Sequence, residues 1–155
     1  MSDVYETMKQ SGITLPEAKP DGAFFDRVLP FGGRLLYTSG FSPNVAEEPP
    51  CKGKLGREYT TRQGAHFAAN AARNVLAALE AEIGDLNRVK RVVKLLCFVA
   101  SSPEFTEQAL VADGASDILK KVFGEAEGKA ARSAVGVAVL PNDSPVELEM
   151  LLELK

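Results

Sequence analysis

The stretch TTRQGAHFAANAARNVLAALEAEIGDLNRVKRVVKLLCFVA, Thr60 to Ala100, decides the fold. Thr60 stands three residues before Gln63, the spacing of a capping box that opens a helix. Ala68, Ala72, Val75, Leu76, Leu79 and Ile83 then recur at helical spacing and form one apolar stripe. Gly84 is placed to end that helix. The stripe begins in alanines, so another element can approach closely there. The chain then changes period. Val89 to Ala100 is dense in Val, Leu and Phe, with Cys97 inside the run, and reads as a buried strand.

Working outward, Ser102-Pro103-Glu104 is read as the start of a second helix, with Ser102 as N-cap and Pro in the first turn. Its stripe runs through Val111, Ala115, Ile118, Leu119 and Val122, and Gly124 ends it. Gly114 weakens the middle, where a kink is expected. Ala134 to Leu140 is a strand of small and branched residues, and Pro141–Ser144 is a turn. In the last strand Val146, Leu148, Met150, Leu152 and Leu154 face one way, and Glu147, Glu149, Leu151 and Glu153 the other. A hairpin about Pro141–Ser144 would put Glu147 opposite the start of the preceding strand.

Upstream, Phe24, Phe25, Val28 and Leu29 read as a strand. Pro30–Gly33 is then a turn and Leu35–Thr38 the return. Residues 1–21 form an irregular N-terminal segment with room for one short helix or strand. The stretch from Ser42 to Tyr59, rich in Pro, Gly and charge, reads as a long surface loop. The order is β-β-α-β-α-β-β in one α+β domain covering 1–155, with two helices on one face of the sheet. The other face is half apolar, a pattern expected of burial against further copies of the chain.

Composition narrows the function. The chain has 155 residues, a net charge of −3 and one histidine. The acidic balance and the lack of a basic stripe argue against nucleic acid as a partner. No paired-His metal motif and no phosphate-binding glycine fingerprint occur. His66 falls on the polar side of the first helix and reads as a solvated histidine. Cys51 and Cys97 have no zinc or redox spacing, and Cys97 reads as inert packing. No segment resembles a leader or a membrane span, so a cytoplasmic setting is expected.

Two charged residues stand out. Arg132 enters a strand of small residues, which leaves space around its guanidinium. It is either a bidentate carboxylate clamp or a surface ion pair at a strand edge. Glu147 opens the last strand. It is either a carboxylate that holds water or a plain solvent-facing glutamate.

The string ARSAVGVAVLPNDSPVELEMLLEL (Ala131–Leu154) resembles the C-terminal signature of the reactive-intermediate deaminase family, also called RidA/YjgF and described as L-PSP endoribonucleases. LLYTSGFSP (Leu35–Pro43) is similar to the family's strand ending in Ser-Gly. Residues Ala71–Val99 resemble its first helix, Gly-Asp-Leu turn and central strand. The resemblance implies a chorismate-mutase-like fold and a homotrimer with a barrel-like core and ligand clefts between subunits. It also implies hydrolytic deamination of small carboxylate-bearing enamines and imines, such as 2-aminoacrylate, a reaction for which no metal or organic cofactor is expected.

By motif match Arg132 is the carboxylate clamp and Glu147 the water holder, with Ser39 and Gly40 lining the cleft. Phe24 falls where the family often has Tyr, and Ala134 where it often has Cys. The family's helix asparagine has no clear match near Gly114 and Ser116. The loop Gly53–Glu58 resembles a longer branch of the family. The alternatives are a carboxylate-binding or regulatory trimer without turnover and, third, an endoribonuclease.

Overall fold

The capped helix and the apolar strand both form as their spacing predicts in a computed structural model, which describes residues 3–155. Helix α1 is Val4–Gln10, and strands β1 and β2 are Val28–Phe31 and Leu35–Thr38. Helix α2 is Thr61–Ile83, strand β3 Val89–Ala100 and helix α3 Gln108–Phe123. Strands β4 and β5 are Ala131–Val137 and Val146–Leu154. Thr60 Oγ1 accepts from the Gln63 amide, and Gln63 Oε1 accepts from the Thr60 amide at 2.9 Å, which completes the capping box. Gly84 closes α2 in the left-handed region at φ 78°.

The five strands make one mixed sheet in the order β1-β2-β5-β3-β4. Among the described residues, only the β3–β4 pair of strands is parallel. The chain crosses between those two strands through α3, as a parallel connection requires. The α2 stripe, Val111, Ala115 and Leu119 of α3, and the alternate residues Leu95, Cys97, Val99, Leu148, Met150 and Leu152 of the sheet are buried together. The other face carries Leu29, Phe31, Tyr37 and Val135, all exposed. It also carries Glu147 and Glu149, in register with Phe98 and Leu96.

Several expectations are corrected. Strands β4 and β5 do not form a hairpin: they flank β3 on opposite sides, each in register with it. The β4 strand starts at Ala131, so Arg132 lies inside it. Helix α3 starts at Gln108, because Ser102–Phe105 forms a turn (Phe105 amide to Ser102 carbonyl, 3.1 Å) and no side chain caps the helix. Strand β1 starts at Val28, because Asp21 holds the preceding segment as a loop by accepting from the Arg27 amide at 2.7 Å. The β1–β2 turn falls on Gly32 and Gly33, both at positive φ, the backbone that a tight hairpin demands. The N-terminal segment is ordered as α1, capped by Asp3; residues 1 and 2 lie outside the described residues.

Two further corrections concern packing. The stretch 42–59 is not a plain surface loop. It returns to the sheet through Leu55, which is completely buried and bridges Ser101. Helix α3 runs unbroken through Gly114, whose role is close approach. A Cβ there would sit 1.8 Å from the Ala65 carbonyl oxygen of α2. The alanine-rich start of α2 is thus where α3 crosses.

Candidate functional site

The Ser39–Phe41 segment leaves β2 and runs beside β5, where Phe41 and Leu148 exchange backbone bonds at 2.8 and 3.0 Å. The Ser39 amide donates to the Arg27 carbonyl at 2.9 Å, and its hydroxyl donates to the Asp26 carbonyl at 2.7 Å. Ser39 therefore fixes the loop that carries Asp26, and its lone pairs remain as acceptors. Gly40 lies under the Glu147 side chain: a Cβ on it would fall 1.7 Å from Glu147 Oε1. Glycine is needed here for space, since Gly40 is not among the positive-φ residues.

Glu147 is half-buried. Burial pushes its carboxyl above the ordinary glutamate range, and the neighbouring Glu149 carboxylate adds to the effect. Glu149 in turn accepts from the Tyr37 hydroxyl at 2.8 Å, and this bond pushes the Tyr37 phenol upward. Beside these groups lies an open concavity of about 470 Å³, lined by Phe25, Asp26, Leu29, Tyr37, Ser39, Gly40 and Glu149 among others. Phe24 does not line it and is 99% exposed. The aromatic at this place is Phe25, one residue later.

Arg132 belongs to the opposite face. It is in register with Leu95, a core residue that also pairs with Met150. Its side chain therefore turns toward α3. Nη1 donates to Asp113 Oδ1 at 2.7 Å and to Ser116 Oγ at 3.0 Å. The ion-pair reading of Arg132 is thus realised within the chain. The same face of β4 continues with Ala134 and Gly136, which leave a trough of small residues beside α3. A Cβ on Gly136 would meet Gln108 Nε2 at 2.8 Å. Ala134 is in register with Cys97, whose thiol burial pushes up to about 12, with Arg132 opposing. Cys97 is inert in that state.

Within one chain the predicted residues thus form two half-sites. Glu147, Gly40 and Ser39 gather on the open face; Arg132 and Ala134 lie on the helix face. The expectation that Arg132 and Glu147 share a neighbourhood through a β4–β5 hairpin does not hold, since Glu147 pairs with Phe98 and not with β4. Asp113, Tyr37 and Phe25 are additions that spacing did not single out. Asp113 stands three residues before Ser116, one helical turn away, and that spacing is the only sequence signal for the pair. His66 is half-exposed but not free: Glu48 from the 42–59 loop holds its Nε2 at 2.7 and 2.9 Å.

Known proteins are similar to this chain along nearly its whole length. The family model "YjgF/chorismate mutase-like, putative endoribonuclease" matches residues 6–154. Protein TCP17 of Trypanosoma cruzi is 43% identical over 151 residues, covering 97% of this chain and 94% of that protein. The crystal structure of Atu1372 from Agrobacterium tumefaciens is 38% identical with a TM-score of 0.89, covering 98% of this chain and 92% of that one. A crystal structure described as a putative endoribonuclease from Shewanella oneidensis is 27% identical with a TM-score of 0.91, covering 99% of this chain and all of that one. The chain belongs to the YjgF/chorismate-mutase-like family.

Proposed function

We propose that the chain hydrolyses small enamines and imines of the 2-aminoacrylate type to a 2-oxo acid and ammonia, in a site formed between two copies. The observation that carries this reading is the Glu147 carboxylate, half-buried, held above its ordinary range and pressed over Gly40, which itself lines an open concavity. Such a group is a stronger base than an exposed glutamate once ionised, and it has the placement to hold a water. Arg132 of a second copy supplies the carboxylate anchor. Its Nη1 is engaged by Asp113 and Ser116, while Nε and Nη2 have no partner among the described residues. That edge is suited to two parallel bonds with a carboxylate. The exposed Leu29, Phe31, Tyr37 and Val135 support a second copy covering this face, as an apolar face in water favours.

The enamine takes a proton from solvent on its terminal carbon and becomes the iminium, which is already electrophilic. Water adds its oxygen to the iminium carbon and gives a proton to Glu147. Glu147 returns that proton to the nitrogen, the C–N bond breaks, and the remaining hydroxyl proton passes to the departing ammonia as the oxygen becomes the carbonyl of the 2-oxo acid. Water and iminium thus become oxo acid and ammonium with no electron transfer. Positioning supplies the catalysis. RNA cleavage, which the family description names, draws no support from an open face that presents Glu147 and Glu149.

No helix among the described residues is long and apolar enough to cross a membrane. A cytoplasmic setting accompanies the proposal, with both thiols free. The test is ammonia release from 2-aminoacrylate generated in situ. Wild type turns over, whereas Arg132→Ala and Glu147→Gln do not. Turnover that survives Arg132→Ala removes the anchor, and no turnover by wild type on any small imine leaves the carboxylate-binding trimer as the reading.

A further inference from the structure

Glu147 and Glu149 are alternate residues of β5, so both side chains leave the same face of the sheet, about 7 Å apart along the strand. Two carboxylates at that range on a partly buried surface do not share protons equally. The better-stabilised anion keeps its charge, and that charge drives the proton onto the other. The structure treats the two groups differently. Glu149 leans toward β2, where its Oε1 accepts from the Tyr37 hydroxyl at 2.8 Å. Tyr37 is in register with Leu151, the next residue of β5 on this face, so the bond runs diagonally across the β2–β5 pair. Glu147 has no side-chain donor among the described residues and lies over Gly40. Little other charge faces it. Strand β3 presents Phe98 in register with it, and Lys94, further along that face, donates to Ser133 Oγ at 2.8 Å. In the loop that Ser39 holds, Arg27 gives its Nε to the Pro20 carbonyl at 2.6 Å, and Asp26 lines the concavity. Burial is the larger reason that Glu147 keeps its proton above the ordinary range, and the Glu149 anion is the second.

We infer that Glu149 is a positioning residue for the hydrolysis proposed above: the Tyr37 hydroxyl fixes its carboxylate as the anion of the pair, and that fixed charge makes Glu147 the group that takes the proton from the attacking water. This rests on the reading of Glu147 as the base and deepens it. Glu149 touches no reacting atom. It acts through the field it places on Glu147, and Tyr37 acts through Glu149. A second copy covering this face excludes water from the pair and strengthens that field.

The experiment has two readouts. One is the NMR titration of the Glu147 carboxyl carbon in isotope-labelled protein, its signal assigned by its loss in Glu147→Gln. The other is the pH profile of ammonia release from 2-aminoacrylate generated in situ. Wild type is compared with Glu149→Gln and Tyr37→Phe. In Glu149→Gln the Glu147 midpoint falls by roughly half a pH unit to one unit, and the acid limb of kcat moves down by the same amount. Tyr37→Phe gives part of both shifts, because a Glu149 without its donor takes a share of the proton. A Glu147 midpoint that is unchanged in Glu149→Gln overturns the inference, and the reading of Glu147 as the base stands where the wild-type acid limb tracks that midpoint. A midpoint that falls while the acid limb stays in place shows that Glu147 is not the base, and the inference fails with that reading. A Tyr37→Phe variant identical to wild type in both readouts overturns the role of the Tyr37 bond. Both substitutions nearly keep the side-chain volume, and unfolding curves and sedimentation matching wild type verify fold and assembly. Should Glu149→Gln fail that check, Tyr37→Phe carries the same two readouts.

Discussion

Gly40→Ala separates the chemistry of the site from its stability. The added Cβ lands 1.7 Å from Glu147 Oε1, 2.7 Å from Cδ and 3.0 Å from Cγ. To reach ordinary contact at 3.4 Å, the oxygen must retreat by 1.7 Å. A misplacement of about 1 Å in a catalytic group costs on the order of a hundredfold in rate, so kcat should fall about a hundredfold or more. The cost in stability is small. Gly40 lacks a positive φ, so alanine suits its backbone. Displacing the end of a flexible side chain costs about 1 kcal/mol. The restricted unfolded chain returns about 0.4–1 kcal/mol. Urea unfolding should therefore shift by less than about 1 kcal/mol while ammonia release nearly disappears. In a Glu147→Gln background the same substitution should have little further effect on rate, since the base is already lost. Near-normal turnover in Gly40→Ala would refute the placement of Glu147 over this glycine.

Other substitutions probe the packing and the proton. Gly114→Ala should destabilise the chain by roughly 1–3 kcal/mol, because the clash is with the Ala65 backbone; helix propensity alone gives a stabilisation of about 1 kcal/mol, so the sign measured by thermal unfolding decides. Leu55→Ala should cost about 2–5 kcal/mol in urea unfolding if the 42–59 stretch is anchored in the core, and less than about 0.5 kcal/mol if that stretch is an ordinary surface loop. Glu147 has a folded pKa above its unfolded value, so it binds its proton more tightly when folded. Its contribution to stability is full at low pH and is lost as pH rises from the ordinary glutamate range through the raised value. Glu147→Gln should therefore melt higher than wild type at neutral pH and converge with it in acid; parallel melting curves at every pH would contradict the burial of the charge. Turnover has the opposite slope, because the base must be ionised, and it should fall at a higher pH than an unperturbed glutamate would give.

What could be read from the sequence was what is local. The α2 stripe and the alternation of β5 are written in side-chain periods of 3.6 and 2, and both elements form where those periods begin and end. The position of β4 is not local. Its helix-facing residues are Arg132, Ala134 and Gly136, so neither face shows a period strong enough to set a register or to tell a hairpin with β5 from a parallel crossover. Ser102-Pro103 has the composition of a helix start and equally of a turn; contacts from Gly56 and Thr61 decide, and both are distant in sequence. Gly114 looked like a weak point because propensity is a single-helix property, whereas its function lies in a second helix. Arg132 and Glu147 stand out by position, but position leaves each between a site role and an ordinary surface role, and only the resemblance favours the first. Asp113 was passed over because an acidic residue on an amphipathic helix normally just faces water.

The opposed faces of Arg132 and Glu147 make one claim testable without a ligand structure. A reaction that needs both groups needs two copies, one giving the arginine edge and the other the carboxylate. Arg132→Ala and Glu147→Gln should each be inactive alone. Co-expressed in equal amounts and randomly assembled, they should recover activity, because a site that takes Arg132 from the second variant and Glu147 from the first is intact. In a closed ring each interface receives that combination with a probability of about one quarter, whatever the number of copies, so about a quarter of wild-type turnover should return. A site within one chain would give none, since every copy carries one lesion. Co-purification on two different tags confirms mixed assembly, and mixed assemblies without activity would show that the two groups do not act on one ligand.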